Sequence, residues 1–119
     1  MAPSKGGAGG HTGLAAGRWK SLTLIEQLAN VGSEVDRAIK AHEAGRPDRR
    51  DAAVDRGLEL FDLTAADGRW RGARRREVLR AREEFCALFW GDDRPGAAAS
   101  LSKYFLHFAL AARRAAGRG

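Results

Sequence analysis

Disulfides, metal clusters and membrane spans all lack the residues they would need in this chain. A single cysteine, Cys86, excludes an internal disulfide and fits a reducing cytoplasm. The three histidines, His11, His42 and His107, are scattered, and none forms a ligand pattern with cysteine or carboxylate, so no metal or other cofactor is expected. No stretch approaches the roughly 18 consecutive apolar residues that a membrane helix requires, so no membrane partner is expected. No continuous apolar segment follows Lys5, which argues against a signal peptide. The run Gly6-Gly7-Ala8-Gly9-Gly10-His11-Thr12 lacks the lysine of a phosphate loop and follows no strand. β-branched residues are sparse and period-2 alternation is absent, so strands are not expected either.

What remains is a helical composition. The 119 residues are 44% hydrophobic and 30% charged, enough for one domain with its own core. Glycine and alanine crowd the N-terminal stretch, which shows no apolar periodicity. Residues 1–17 therefore read as a disordered tail and residues 18–116 as the folded unit.

Four helices are legible in that unit. Thr23 and Glu26 form a capping box that opens the first, which runs to about Ala44 and stops at Gly45-Arg46-Pro47. Its inward stripe is Leu24, Leu28, Val31, Val35, Ile39 and His42. The second begins near Asp48 as cap and reaches about Ala66, with Val54, Leu58, Phe61 and Ala65 on its apolar face. The third spans about Ala73 to Trp90 and turns Val78, Leu79, Phe85, Cys86 and Phe89 inward. The fourth, about Ser100 to Ala115, is apolar on nearly every side, which suggests a subunit interface and a homo-oligomer. Short connections favour antiparallel neighbours, so the expected fold is an all-α, up-down antiparallel four-helix bundle.

Charge is distributed very unevenly. Residues 69–82 hold seven arginines and one acid, which equals the net +6 of the entire chain. A local positive field of this kind commonly meets a polyanion. On a helical wheel Arg82 falls near the apolar stripe of the third helix and Arg75 lies on the same side. The second helix carries an acidic row, Asp51, Asp55, Glu59 and Asp62, so an ion pair from Arg82 to Glu59 or Asp62 is expected. Arg69, Arg71, Arg74, Arg76 and Arg80 remain for a ligand, with Trp70 among them. Arginine forks beside an aromatic suit phosphates and a stacked base.

Two resemblances bear on function. Arg37-Ala38-Ile39-Lys40-Ala41-His42 has the R-x-x-x-x-H spacing, which resembles the ribonuclease motif of HEPN-domain proteins, compact helical bundles. That resemblance implies His42 as acid or base and Arg37 on the developing phosphodiester charge. In size, four helices, basic surface and apolar last helix, the chain is similar to the accessory proteins of diversity-generating retroelements. Those oligomerise and bind a reverse transcriptase and RNA. The leading expectation is a non-enzymatic, cytoplasmic nucleic-acid-binding or accessory module, acting on RNA or DNA beside a polymerase or reverse transcriptase. A protein-docking adaptor and a HEPN-like ribonuclease are the alternatives.

Overall fold

The first helix starts at its capping box. Thr23 Oγ1 accepts from the Glu26 amide at 3.1 Å, and the Glu26 carboxylate accepts from the Thr23 amide at 2.8 Å. Two amides that the helix cannot satisfy are thereby bonded. In a computed structural model, which describes residues 17–91 and 94–118, a single helical turn at 17–19 precedes four helices. These are α1 (Leu24–Glu43), α2 (Pro47–Ala65), α3 (Ala73–Trp90) and α4 (Ala97–Arg118). Among the described residues there is no strand, and no helix is long and apolar enough to cross a membrane. The fold is all-α. The expected tail, Gly17 apart, lies outside the described residues, as do Asp92 and Asp93.

Two helix starts differ from the sequence expectation. α2 begins at Pro47, and Asp48 is not its cap: Arg46 occupies the cap position and makes no side-chain cap bond. Proline at the first position has no amide to satisfy and a backbone angle already set for the helix. Asp48 sits in the first turn, where its charge faces the positive end of the helix. α4 begins at Ala97, one turn before Ser100, because three alanines continue the helix back to Gly96, which holds φ +81°.

α1 is the helix around which the others pack. It lies along α2 on one side and α4 on another, while α3 makes smaller contacts with α2 and α4. Its buried residues are Gln27, Leu28, Val31, Gly32, Glu34, Val35, Ala38, Ile39 and Ala41, a stripe wide enough to meet two neighbours. The other helices each contribute one large ring. Phe61 of α2 lies 5.7 Å from Phe85 of α3 and 6.0 Å from Phe105 of α4, centroid to centroid. All three are buried.

Several expected core positions sit farther out. His42 is exposed, with its ring edge-on to Phe89 at 5.5 Å, and Leu24, Leu58, Leu79, Cys86 and Phe89 are half-buried. α4 buries only Leu101 and Phe105 fully and leaves Leu106 and Leu110 exposed.

Glycine sets the approach of α4 to α1. A Cβ at Gly32 would stand 2.6 Å from Phe105 Cβ, an atom fixed to the α4 backbone. Gly57 meets Phe85 in the same way, at 3.0 Å from the ring. Gly32→Ala gains about 1 kcal/mol of helix propensity. It loses more, because forcing a methyl into a packed contact costs about 1–3 kcal/mol. A net loss of stability is expected in urea unfolding, accompanied by displacement of α4.

Candidate nucleic-acid interface

The turn between α2 and α3 is held by a buried polar cluster. Asp67, only 3% exposed, stands at its centre. Its carboxylate accepts from Arg69 Nη2 at 2.7 Å, Arg69 Nε at 3.0 Å, the Arg69 amide at 3.1 Å and Gln27 Nε2 at 2.9 Å. Gln27 also donates to the Trp19 carbonyl at 2.9 Å and accepts from Trp70 Nε1 at 2.7 Å. Trp19 Nε1 donates to Thr64 Oγ1 at 2.9 Å, and Arg69 Nη2 reaches the Leu22 carbonyl at 2.7 Å. The turn is thus tied to the start of α1 and to the segment before it.

This arrangement gives Arg69 and Trp70 internal work. The Arg69 guanidinium lies 4.5 Å from the centroid of the Trp70 ring, and Trp70 is half-buried with its only donor already bonded. A base cannot stack on the ring face that Arg69 covers. The hydrogen bonds from Arg69 hold the Asp67 carboxyl well below the usual carboxylate range, against the burial that would raise it; the Gln27 amide adds to the lowering.

The remaining arginines fall into two groups. Arg82 Nε donates to Asp62 at 2.9 Å; both side chains reach solvent, and Glu59 takes no part. The expected partner is thus Asp62, in an ion pair that reaches solvent and is not buried. Arg80 stands 3.9 Å from Glu84 on the same helix. By contrast, Arg71, Arg74, Arg75 and Arg76 meet no carboxylate among the described residues. Arg71 Nε donates to the Gly68 carbonyl and Arg75 Nε to the Ala65 carbonyl, each at 3.1 Å, which leaves their charge uncompensated. Arg74 and Arg76 make no side-chain hydrogen bond among the described residues, and all four are exposed. Glu77, the one acid in this stretch, accepts from the Tyr104 hydroxyl at 2.7 Å.

Arg37 and His42 do not converge within the chain. Arg37 Nη1 is bonded to Glu34 at 2.7 Å, whereas the His42 ring lies edge-on to Phe89. Five residues apart on a helix is about 140° of rotation, so the two side chains leave α1 in different directions. The acidic row is also divided: Asp51 pairs with Arg50 and Asp62 with Arg82. Among the described residues no group of His, Cys, Asp and Glu could hold a metal ion.

Three participants escaped the sequence reading. Helical spacing puts Arg75 on the apolar side of α3, whereas its Nε donates to the Ala65 carbonyl at the end of α2. Gln27 and Asp67 were not singled out at all. Gln27, Val31, Glu34, Ala38 and Ala41 follow the same 3–4 spacing as the apolar stripe beside them. A polar residue in that register is the signal that marks Gln27 and Glu34 as buried. Periodicity does not mark Asp67, which bonds Arg69 two residues on and Gln27 40 residues away.

Comparisons with protein-family models, with curated proteins and with solved structures return no match for the chain.

Asp67→Ala should cost about 1–3 kcal/mol, since it strands the donors of Gln27 and Arg69. A group whose folded pKa is depressed contributes fully above its unfolded value, 3.8 for an ordinary Asp, and loses that contribution as pH falls toward the folded value. Wild-type stability should therefore drop with acid below about pH 4. Asp67→Asn should flatten that decline in denaturant melts.

Proposed function

We propose that this protein is a non-enzymatic nucleic-acid-binding or accessory module, built as an up-down antiparallel four-helix bundle. Its ligand surface is the α2–α3 turn and the start of α3, with Arg71, Arg74, Arg75, Arg76 and Arg80 toward the polyanion. Arg69 and Trp70 act as the frame of that surface. The observation that carries this reading is the four neighbouring exposed arginines without a carboxylate partner among the described residues. Had the protein's own acids matched them, the cluster would be a plain solvated ion-pair surface.

A guanidinium offers five donors in a planar fork, and here at most one per residue is used. The arginines are therefore able to grip phosphate oxygens from several directions. Such contacts fix position on a nucleic acid and carry no sequence information, so the module recognises backbone more than base. That suits an accessory role beside a polymerase or reverse transcriptase in the cytoplasm. The exposed pair Leu106 and Leu110, one turn apart on α4, supplies the surface for self-association.

The test is binding to RNA, single-stranded DNA and duplex DNA across a salt series. Affinity should fall steeply with salt, because each neutralised phosphate releases counter-ions. Arg74→Glu/Arg76→Glu should abolish binding at about 50 mM salt, and the alanine pair should reduce the log–log salt slope by about 1–2. A wild-type chain that binds none of the three would overturn the reading. Leu106→Glu/Leu110→Glu should shift the protein to the monomer mass in light scattering without lowering its helix content.

A further inference from the structure

A second concentration of positive charge lies at the far end of the α1–α2 hairpin, and it has a definite shape. A cleft of about 590 Å³ opens there between the two helices. α1 lines it with Arg37 and Lys40, α2 with Arg49 and Arg56, and Arg46 of the connecting turn lies at its end. Ala41, Ala44, Ala52 and Ala53 form the floor, and no carboxylate lines the cleft. Both walls have the same construction. The lining positions on each helix follow i, i+3, i+4 and i+7, which is one helical face. Small residues let the helices draw close while the long cations stand along the rims.

This arrangement is costly if the cleft holds no ligand. Like charges on adjacent helical turns repel, so the protein gains no stability from lining a cleft with five of them. One carboxylate orders the inner end. Glu34, nearly buried, accepts from Arg37 Nη1 at 2.7 Å and from Arg56 Nε at 3.2 Å. A single negative charge is thus shared by two guanidinium groups, which are fixed in place with most of their donors unused. Lys40, Arg46 and Arg49 have no ion pair or side-chain hydrogen bond among the described residues. The first turn of α2, between Arg46 and Arg49, has no side-chain cap either.

We propose that this cleft binds an oligophosphate, a di- or triphosphate group that is free or carried by a nucleotide. Arginine forks match phosphate oxygens bidentately. The cations are spread over about 10 Å along α2 and about 5 Å along α1, Arg37 and Arg56 as an inner pair and Lys40, Arg46 and Arg49 as an outer triad, so a chain of phosphates engages more of them than one phosphate can. The volume is in the range of small-ligand sites, and the alanine floor presents an apolar surface to whatever the phosphates carry. The α3 arginines play no part, because they lie at the other end of the hairpin.

Calorimetric titration of the full chain with orthophosphate, pyrophosphate, tripolyphosphate and ATP tests this. Affinity should rise from orthophosphate to tripolyphosphate. ATP binding like tripolyphosphate marks the phosphate chain as the whole ligand; ATP binding about tenfold tighter or more marks a nucleotide. Arg46→Ala/Arg49→Ala, which leaves the Glu34 pairs intact, should weaken tripolyphosphate at least about tenfold with an unchanged helical spectrum. Arg74→Glu/Arg76→Glu should leave it unchanged. Equal affinity for orthophosphate and tripolyphosphate, no binding of any probe, or loss of binding in the α3 variant rather than the cleft variant would each overturn the proposal. Because nucleic-acid binding is read on the α3 patch and phosphate binding on the cleft, the two failures are separable.

Discussion

Asp67 and the donors gathered on it define how the two ends of the α1–α2 hairpin differ. A carboxylate with almost no exposure has to be hydrogen-bonded on every side, or burial drives it to protonate. Here the partners come from α1 (Gln27) and from the turn itself (Arg69), and Gln27 passes the constraint on to Trp19 and Trp70. The network closes without leaving a buried side-chain polar atom unpaired among the described residues. Satisfied networks of this kind specify one arrangement, because any slip of the turn leaves several polar groups stranded at once. The position of α3 follows, since Trp70 and Gly72 lead directly into it.

That constraint sorts the arginines. Arg69 is consumed by structure, whereas Arg71 of the same turn and Arg74, Arg75 and Arg76 just beyond it on α3 are held out in solvent. A cluster that looks uniform in sequence is therefore two populations with different chemistry. The same division runs through the other basic region, where Glu34 fixes Arg37 and Arg56 while Lys40, Arg46 and Arg49 keep their charge. In both places one shielded acid orients arginines and leaves neighbouring cations uncompensated. The cleft lies toward the connecting turn of the hairpin, and the α3 arginines follow the opposite end of α2. A ligand at one end leaves the other open.

The core shows where periodicity is a dependable guide and where it is not. Val31, Val35, Val54, Phe61, Phe85, Leu101 and Phe105 are all on stripes read directly from spacing, and all are buried. Helix ends were legible wherever a side chain or glycine carries the signal, as at Thr23 and Gly45. They were less legible at Arg46, where proline alone starts the helix, and at Ala97, where nothing but propensity extends it. His42 continues the spacing of the α1 stripe and yet lies exposed, with its ring edge-on to Phe89. The central role of α1 was not apparent, since α4 is the more uniformly apolar helix. α1 takes that place because its buried stripe is broad and Gly32 admits Phe105 at close range.

Local chemistry was enough to settle the helical class, the number and approximate extent of the long helices, and the presence of a strongly basic segment. Those features depend on residues within one or two turns of each other, and spacing records them. Which arginines are spent and which are free depended on contacts between residues tens of positions apart, such as Gln27 with Asp67 and Glu34 with Arg56. So did the cleft, whose cations come from two helices and gather only when the hairpin closes. A charge's partner is set by distance in space, and only the folded chain brings such partners within a few ångströms.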